Sequence, residues 1–228
     1  MGPKAPAAMT EPGADGSAPL DPAAVFGFPL DDFQLEAIDA LNQGHSVVVS
    51  APTGSGKTLV GEYAIHRALA HGQKVFYTTP LKALSNQKLR DFRQQFGDQN
   101  VGLMTGDLSV NREASIVVMT TEIFRNMLYA EADEHDDPLA DVEAVVLDEC
   151  HYMNDSQRGT VWEESIIHCP PPVQLVALSA TVANAGQLTD WIEKVHGPTQ
   201  LVHSDYRPVP LQFSFCSAKG LHPLLNEQ

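Results

Sequence analysis

Residues 47–58, V-V-V-S-A-P-T-G-S-G-K-T, decide the fold of this chain, because a short apolar run leads directly into a glycine-containing loop. Val47–Val49 are consecutive β-branched residues, the pattern of a strand buried on both faces of a parallel sheet. After the loop, Lys57–His71 repeats valine or alanine at four-residue spacing and stops at Gly72, as in a helix that ends at a C′ glycine. The stretch therefore predicts a strand, a tight turn and a helix.

The same alternation continues along the chain. Further apolar runs lie at 75–77, 101–104, 116–119, 144–147 and 175–178, and helical stretches at 81–96 and 122–130. This order predicts an α/β fold, a mostly parallel sheet flanked by helices on both faces with right-handed crossovers. Each run ends in polar, glycine or charged residues, and ligands of open α/β sheets bind outside the carboxyl ends of the strands. We therefore predict that this edge of the sheet carries the function.

Composition narrows the class of protein. The chain has 228 residues, of which 43% are hydrophobic, and no apolar run near the ~20 residues of a membrane span. These values predict one soluble globular domain and exclude membrane, collagen-like and coiled-coil proteins. The formal net charge is −15, which disfavours a generally basic nucleic-acid binder.

The charge is nevertheless uneven. Residues 74–93 carry five Lys or Arg against one acid, and residues 131–149 carry nine acids. The basic strip fits either a phosphate contact or a solvated helix face. The acidic segment Glu131–Asp141 fits either a partner-binding loop or a plain solvated loop.

The cysteines do not indicate a disulfide framework. Cys150, Cys169 and Cys216 are odd in number and lack C-x-x-C spacing, which favours a reducing, cytoplasmic compartment. The pairs Cys150-His151 and His168-Cys169 do not predict a zinc site, because adjacent residues of a strand point to opposite faces of the sheet.

The loop after the first strand predicts nucleotide binding. Gly54 and Gly56 let the backbone turn so that its N–H groups surround a phosphate at a helix N-terminus. Lys57 would reach the β- and γ-phosphates, and the Thr58 hydroxyl would bind Mg²⁺. Ala51 replaces the first glycine of the usual G-x-x-x-x-G-K-[ST] pattern. The alternative is a glycine turn that only caps a helix.

A carboxylate pair supports the nucleotide prediction. Asp148 and Glu149 follow the apolar run 144–147, where two like charges at a strand end call for a nearby cation. Asp148 would hold Mg²⁺ and Glu149 would orient the attacking water, so that ATP is hydrolysed. The alternative is an ion-paired surface turn.

Six motifs in this order resemble those of one known family: A-P-T-G-S-G-K-T (51–58), T-P-L-K-A-L-S-N-Q-K (79–88), G-L-M-T-G-D (102–107), V-M-T-T-E-I-F-R-N-M-L-Y (118–129), D-E-C-H-Y-M (148–153) and L-S-A-T (178–181). The set is similar to the first RecA-like domain of superfamily 2 DExH-box RNA helicases, in the superkiller-like, exosome-associated branch. The resemblance covers about residues 25–216, and alanine at position 51 is normal in that superfamily.

The resemblance implies ATP and Mg²⁺ as cofactors and assigns the nucleotide site. Phe28 and Gln34 would read adenine, since a glutamine amide can pair with both N6 and N7. His151 would link the nucleotide to Ser179 and Thr181. The alternatives are a helix-surface glutamine at position 34 and helix capping by the two hydroxyl residues. The residues implied to bind ATP directly also include Thr53, Gly54, Ser55, Gly56, Lys57 and Thr58.

The resemblance also implies a path for single-stranded RNA. Contacts of this kind position the phosphates and carry no sequence information. Thr121 precedes Glu122 and is equally suited to be an N-cap. The residues implied to contact RNA are Pro80, Lys82, Ala83, Gln87, Thr105, Gly106, Asp107, Thr120 and Thr121.

Helicases of this family also need a second RecA-like domain, whose Q-x-x-G-R-x-G-R element supplies arginine fingers. That element is missing, since Arg158 and Arg207 are the only arginines after Glu149. An arginine finger is worth about 10³–10⁵ in rate. We therefore expect a fragment that binds ATP and Mg²⁺, hydrolyses ATP weakly and cannot unwind RNA alone, with a flexible tail at 1–24 and a linker starting at 217–228.

The expected partners are single-stranded RNA, a second RecA-like domain in cis and an RNA-degradation or RNA-processing complex. Two other functions stay open at this point: a DNA helicase or translocase of the same superfamily, and a standalone ATP-dependent RNA-binding scaffold. A preference for RNA or DNA distinguishes an RNA helicase from the DNA helicase or translocase, because RNA-specific enzymes sense the 2′-hydroxyl. Nucleotide-independent RNA binding would favour the second.

Overall fold

The computed structural model describes residues 19–129, 138–154, 159–211, 213–218 and 220–223. The tail up to residue 18, most of the acidic segment Glu131–Asp141 and residues 224–228 of the expected linker lie outside these ranges.

Helices and strands alternate along most of the described chain. The helices are α1 (Pro22–Phe26), α2 (Asp32–Asn42), α3 (Thr58–His71), α4 (Lys82–Phe96), α5 (Thr121–Tyr129), α6 (Gly159–His168) and α7 (Ala185–Val195). The strands are β1 (Ser46–Ser50), β2 (Lys74–Thr79), β3 (Val101–Thr105), β4 (Leu108–Val110), β5 (Ile116–Thr120), β6 (Val142–Leu147), β7 (Gln174–Ser179), β8 (Thr199–His203), β9 (Ser214–Ser217) and β10 (Gly220–Pro223). Short 3₁₀ turns occupy Asp98–Asn100 and Cys150–Asn154.

A single twisted sheet organises the domain, with strand order β4-β3-β5-β2-β6-β7-β1-β8. All neighbours are parallel except β3 and β4, and the hairpin β9–β10 forms a separate antiparallel pair. The predicted α/β fold is confirmed, because every predicted apolar run lies within one of these parallel strands.

The core consists of two apolar layers, one on each face of the sheet. Strand residues alternate between the layers, so that Val47 and Val49 belong to one and Val48 to the other. Helices α2, α3 and α4 cover the first face, and α5, α6 and α7 cover the second. Burial on both faces explains why the strands read as continuous apolar runs.

A polar network secures the sheet at the edge opposite to the predicted site. The Arg67 side chain on α3 forms an ion pair with Glu143 on β6, and its Nη1 donates to the carbonyl oxygen of Leu41 over 2.6 Å. His71 Nδ1 lies 2.9 Å from the second Glu143 oxygen. These bonds fix α3, and with it the loop that precedes α3, against the sheet.

Among the described residues, no helix combines the length and the apolar character that a membrane crossing requires.

Candidate nucleotide and nucleic-acid site

The loop between β1 and α3 has the backbone shape that the sequence predicts. Gly54 and Gly56 have φ angles of 84° and 86°, in the left-handed region that glycine adopts without strain. The Lys57 side chain is only 6% exposed, and the Ser55 hydroxyl is buried without a hydrogen-bond partner in the described part of the chain. The turn of the loop is therefore already formed, and among the described residues the Ser55 hydroxyl inside it has no protein partner.

Gln34 joins α2 to this loop. Its Oε1 accepts from the backbone N–H of Asp31 over 2.9 Å, and its Nε2 donates to the carbonyl oxygen of Gly56 over 3.0 Å. The side chain is buried, so Gln34 is not the helix-surface glutamine of the alternative interpretation. Phe28 lies before α2, half exposed, with its ring 6.0 Å from that of Phe26. Adenine contacts by Phe28 and Gln34 stay a prediction.

The carboxylate pair stands at the end of β6. Asp148 is buried, and its Oδ2 accepts from the hydroxyl of Tyr77 on β2 over 2.9 Å. Its Oδ1 accepts from the backbone N–H of Glu149 over 3.0 Å. Glu149 has φ 56°, an uncommon conformation for a residue with a side chain. Burial, followed by the nearby Asp148 charge, raises the pKa of Tyr77 well above its ordinary value, so the phenol stays a donor.

His151 connects the carboxylate pair to the end of β7. Its Nδ1 accepts a hydrogen bond from the backbone N–H of Ala180 over 3.3 Å and lies 3.3 Å from Glu149 Oε2. The buried Ser179 hydroxyl donates to the Ala180 carbonyl oxygen over 2.7 Å. His151 therefore contacts the S-A-T segment (179–181) through the backbone of Ala180.

The capping alternatives do not describe the two threonines. Thr181 is exposed, and α7 begins only at Ala185, with Asn184 in the N-cap position. Thr121 is the first residue of α5, and its hydroxyl donates to the carbonyl oxygen of Thr79 over 3.2 Å. Thr121 thus ties α5 to the end of β2.

The residues predicted to contact RNA lie together at the carboxyl ends of β2, β3 and β5. On this surface Lys82 forms an ion pair with Asp107, and the Thr105 hydroxyl donates to the second Asp107 oxygen over 3.0 Å. The Lys82 hydrogen bond, followed by the Thr105 hydrogen bond, lowers the pKa of Asp107. The exposed members of the set are Lys82, Ala83, Gln87, Gly106 and Asp107, and the buried members are Pro80, Thr105, Thr120 and Thr121.

Strand order divides the edge into two adjoining halves. The predicted phosphate, metal and coupling residues follow the strands β6, β7 and β1, and the predicted RNA residues follow β3, β5 and β2. The halves meet between β6 and β2, where the backbone N–H of Asp148 donates to the carbonyl oxygen of Thr78 over 3.0 Å.

The prediction that both Cys-His pairs lie in strands is wrong. Cys150 and His151 lie in a 3₁₀ turn, and His168 ends α6, so neither pair belongs to a strand. Within the described ranges, no group of three or more His, Cys, Asp or Glu residues is arranged to hold a metal ion. A Mg²⁺ site of the predicted kind does not need one, since Mg²⁺ typically takes one or two carboxylates plus phosphate and water oxygens.

Two side chains at the site were missed by the sequence analysis. Tyr77 is one of them, and its only sequence signal is a hydroxyl at the end of the apolar run 75–77. Arg207 is the other; its Nη1 donates to the carbonyl oxygen of Thr53 over 3.2 Å, which places a guanidinium beside the loop.

The chain is similar to known helicases over most of its length. The family model described as "DEAD/DEAH box helicase" matches residues 31–188. The chain therefore belongs to the DEAD/DEAH box helicase family. It is 56% identical over 207 residues to the DExH-box ATP-dependent RNA helicase DExH15, chloroplastic, of Arabidopsis thaliana, covering 90% of this chain. It is 47% identical over 208 residues to the antiviral helicase SKI2 of Saccharomyces cerevisiae, covering 91% of this chain.

These relatives confirm the resemblance to DExH-box, superkiller-like helicases. The chain spans only 18% and 16% of the length of the two relatives. A solved structure of the helicase MrfA bound to DNA and AMPPNP matches with a TM-score of 0.68 and 20% identity, covering 82% of this chain and 29% of that one. At that identity the match shows the shared fold alone.

Proposed function

We propose that this chain is the ATP-binding half of an ATP-dependent RNA helicase, in which ATP hydrolysis is coupled to binding and unwinding of RNA. The observation that carries the proposal is the divided sheet edge. The glycine loop follows β1 and the carboxylate pair follows β6, with β7 between them, and the strands that lead to the residues predicted to contact RNA begin at β2, next to β6. The names of the DExH15 and SKI2 relatives favour the same class of activity.

The loop is suited to hold the phosphates of ATP. Its left-handed glycines turn backbone N–H groups inward, and the buried Lys57 ammonium needs anionic partners. Gln34 would present its amide to adenine beside Phe28, which predicts a preference for ATP over GTP.

The residues present also fit a Mg²⁺ ion. The Thr58 hydroxyl and the Asp148 carboxylate are oxygen donors, the class that Mg²⁺ prefers. Within the described residues, each Asp148 oxygen accepts one hydrogen bond, so lone pairs remain on both. Bound Mg²⁺ would neutralise phosphate charge.

Two side chains after β6 would take part in ATP hydrolysis. Glu149 would orient water toward the γ-phosphate, and His151 would pass changes at the nucleotide to the Ala180 backbone. Efficient hydrolysis would need arginine fingers from a second RecA-like domain, worth about 10³–10⁵ in rate. We therefore propose weak hydrolysis and no unwinding by this chain alone.

Single-stranded RNA is the proposed nucleic acid, and an RNA-degradation or RNA-processing complex the proposed setting. The exposed Lys82 and Gln87 can meet phosphate or sugar oxygens without reading bases. A cytoplasmic location stays part of the proposal.

Binding of a fluorescent ATP analogue to the wild-type chain and to Lys57→Ala tests the nucleotide site. Losing a charge-assisted hydrogen bond of about 1.5–3 kcal/mol should weaken binding about 10- to 100-fold. Lys74→Ala is the matched control, because Lys74 begins β2 at the opposite edge and pairs with Glu113. Equal affinity of Lys57→Ala and wild type would refute the proposal.

Competition between RNA and DNA oligonucleotides of the same sequence tests the substrate. Tighter binding of RNA is expected, since only RNA offers 2′-hydroxyls. Equal or tighter binding of DNA would favour a DNA translocase instead. RNA binding that is tight and indifferent to a non-hydrolysable ATP analogue would favour a scaffold.

A further inference from the structure

Tyr77 places a hydroxyl against the predicted metal carboxylate from inside the core. The side chain is fully buried, yet its hydroxyl donates to Asp148 Oδ2 over 2.9 Å. With the Glu149 N–H on Oδ1, each carboxylate oxygen has one fixed donor. The two bonds hold the carboxylate plane from opposite oxygens.

The Tyr77 ring is itself clamped between two helices. On the α4 side, Lys88 Nζ lies 5.3 Å from the ring centroid, and the Phe92 ring packs edge-on with centroids 4.9 Å apart. On the α3 side, Gly61 comes so close that an added Cβ would lie 3.4 Å from the ring and 3.2 Å from Val146 Cγ1. The ring therefore has little freedom to turn away from Asp148.

Helix α4 begins at the other half of the sheet edge. Its first turn carries Lys82 and Ala83, two of the residues predicted to contact RNA, and Lys88 follows about two turns later. A continuous set of contacts thus runs from the predicted RNA surface through α4 and the Tyr77 ring to Asp148.

We propose that Tyr77 is a positioning residue that orients Asp148 for Mg²⁺ and ties this carboxylate to helix α4. The proposal rests on the proposed function, because it requires Asp148 to be a metal ligand. A purely apolar role would be served by phenylalanine, whereas a buried hydroxyl is costly unless it is hydrogen-bonded. Partners that orient a metal ligand typically contribute about 10- to 100-fold to metal affinity.

Tyr77→Phe removes this hydrogen bond and keeps the ring. Titrating Mg²⁺ against the wild-type chain with a fluorescent ATP analogue gives the half-saturating metal concentration, and the same titration without metal gives the bare nucleotide affinity. In Tyr77→Phe the half-saturating Mg²⁺ concentration should rise about tenfold. Binding without metal should stay unchanged, since the phosphate loop is intact.

Tyr63→Phe is the matched control. Tyr63 is an equally buried tyrosine on α3 whose hydroxyl donates to Leu20 O over 3.0 Å and contacts Asn42 Oδ1 at 3.1 Å, away from Asp148. Removal of the Tyr63 hydroxyl should leave the half-saturating Mg²⁺ concentration the same as in wild type. An equal shift in both phenylalanine variants would mean a general loss of packing and would overturn the proposal.

Lys88→Met tests the tie to α4, because methionine keeps the length of the side chain and loses the charge. Its effect on the Mg²⁺ titration should be smaller than that of Tyr77→Phe and should vanish in the double variant. Independent, additive effects would overturn the link between α4 and Asp148.

The two proposals fail differently. If the wild-type chain does not bind the analogue, the proposed function itself is wrong. If wild type binds with metal dependence and Tyr77→Phe does so at the same Mg²⁺ concentration, only the positioning role of Tyr77 is wrong.

Discussion

The side-chain amide of Gln34 donates to the carbonyl oxygen of Gly56 over 3.0 Å and so joins the first turn of α2 to the phosphate loop. The other amide atom closes a capping box with the backbone N–H of Asp31. One side chain thus stabilises a helix and holds a binding loop, and the two roles can be separated by substitution.

Gln34→Glu should weaken ATP binding about tenfold and keep α2 capped, while losing the stability that the bond to Gly56 contributes. Glutamate serves the capping box as well as glutamine does, but its carboxylate cannot donate to Gly56. A buried acceptor left without its donor costs about 1–3 kcal/mol. Gln34→Ala should lose both roles, with about 1 kcal/mol of helix capping lost as well. Thermal unfolding and titration of an ATP analogue measure the two effects; unchanged binding in Gln34→Glu would contradict the prediction.

The central strands of the sheet could be predicted from the sequence, but the two strands at its edges, β4 and β8, could not. Strands such as β1 and β5 are buried on both faces, so every residue is apolar or small and the runs are obvious. The edge strand β8 reads T-Q-L-V-H and is partly exposed, and the short β4 is exposed over most of its length. Neither strand has a continuous apolar run to find.

Side-chain contacts between residues far apart in the sequence could not be predicted either. Gln34 and Gly56 are 22 residues apart, and Tyr77 and Asp148 are 71 apart. The motifs predicted which strand ends carry chemistry, because parallel strands bring successive ends to one edge. They did not predict that Tyr77 donates to Asp148, since that contact depends on strand order and on α4 packing.

Lys82 and Asp107 provide a test of the RNA surface. Their ion pair occupies a lysine that we expect to meet phosphate. Asp107→Asn should free Lys82 and remove a nearby negative charge, so single-stranded RNA should bind severalfold more tightly. Lys82→Ala should weaken binding and reduce the slope of log affinity against log salt by about 0.7, the value for one phosphate contact on a single strand.

Fluorescence anisotropy of a labelled oligouridylate at several salt concentrations measures both effects. Arg112→Ala is a suitable control, since this exposed cation lies outside the predicted RNA residues and pairs with Glu113. Weaker binding by Asp107→Asn would show that Asp107 itself accepts a hydrogen bond from the RNA. An unchanged salt slope in Lys82→Ala would remove Lys82 from the RNA surface.

His196 should make the domain less stable in mild acid. Burial lowers its pKa below the ordinary value of 6.5, while a ring nitrogen lies 2.9 Å from the carbonyl oxygen of Val173. The unfolded chain therefore binds the proton more readily than the folded chain does. Stability should fall as the pH drops below about 6.5, until the pH reaches the lowered pKa of the folded state.

Urea unfolding at pH 7.5 and 5.5 measures this loss in the wild-type chain and in His196→Gln. The glutamine amide can still donate to Val173 but does not titrate, so the variant should lose less stability between the two pH values. Groups that titrate in both proteins cancel in the comparison, including His66, whose pKa burial also lowers. Equal losses in the two proteins would contradict the prediction.

The three cysteines should differ sharply in reactivity. Burial raises the pKa of Cys150 and of Cys169 to about 12, so neither forms the reactive thiolate near neutral pH. Cys216 is exposed on β9 and should react alone. A thiol-disulfide reagent should therefore label one cysteine quickly in the native chain and three in denaturant, and Cys216→Ser should abolish the quick reaction. A quick reaction that persists in Cys216→Ser would mean that Cys150 or Cys169 becomes accessible in the native chain; labelling at Cys150 would place the opening at the turn next to Glu149 and His151.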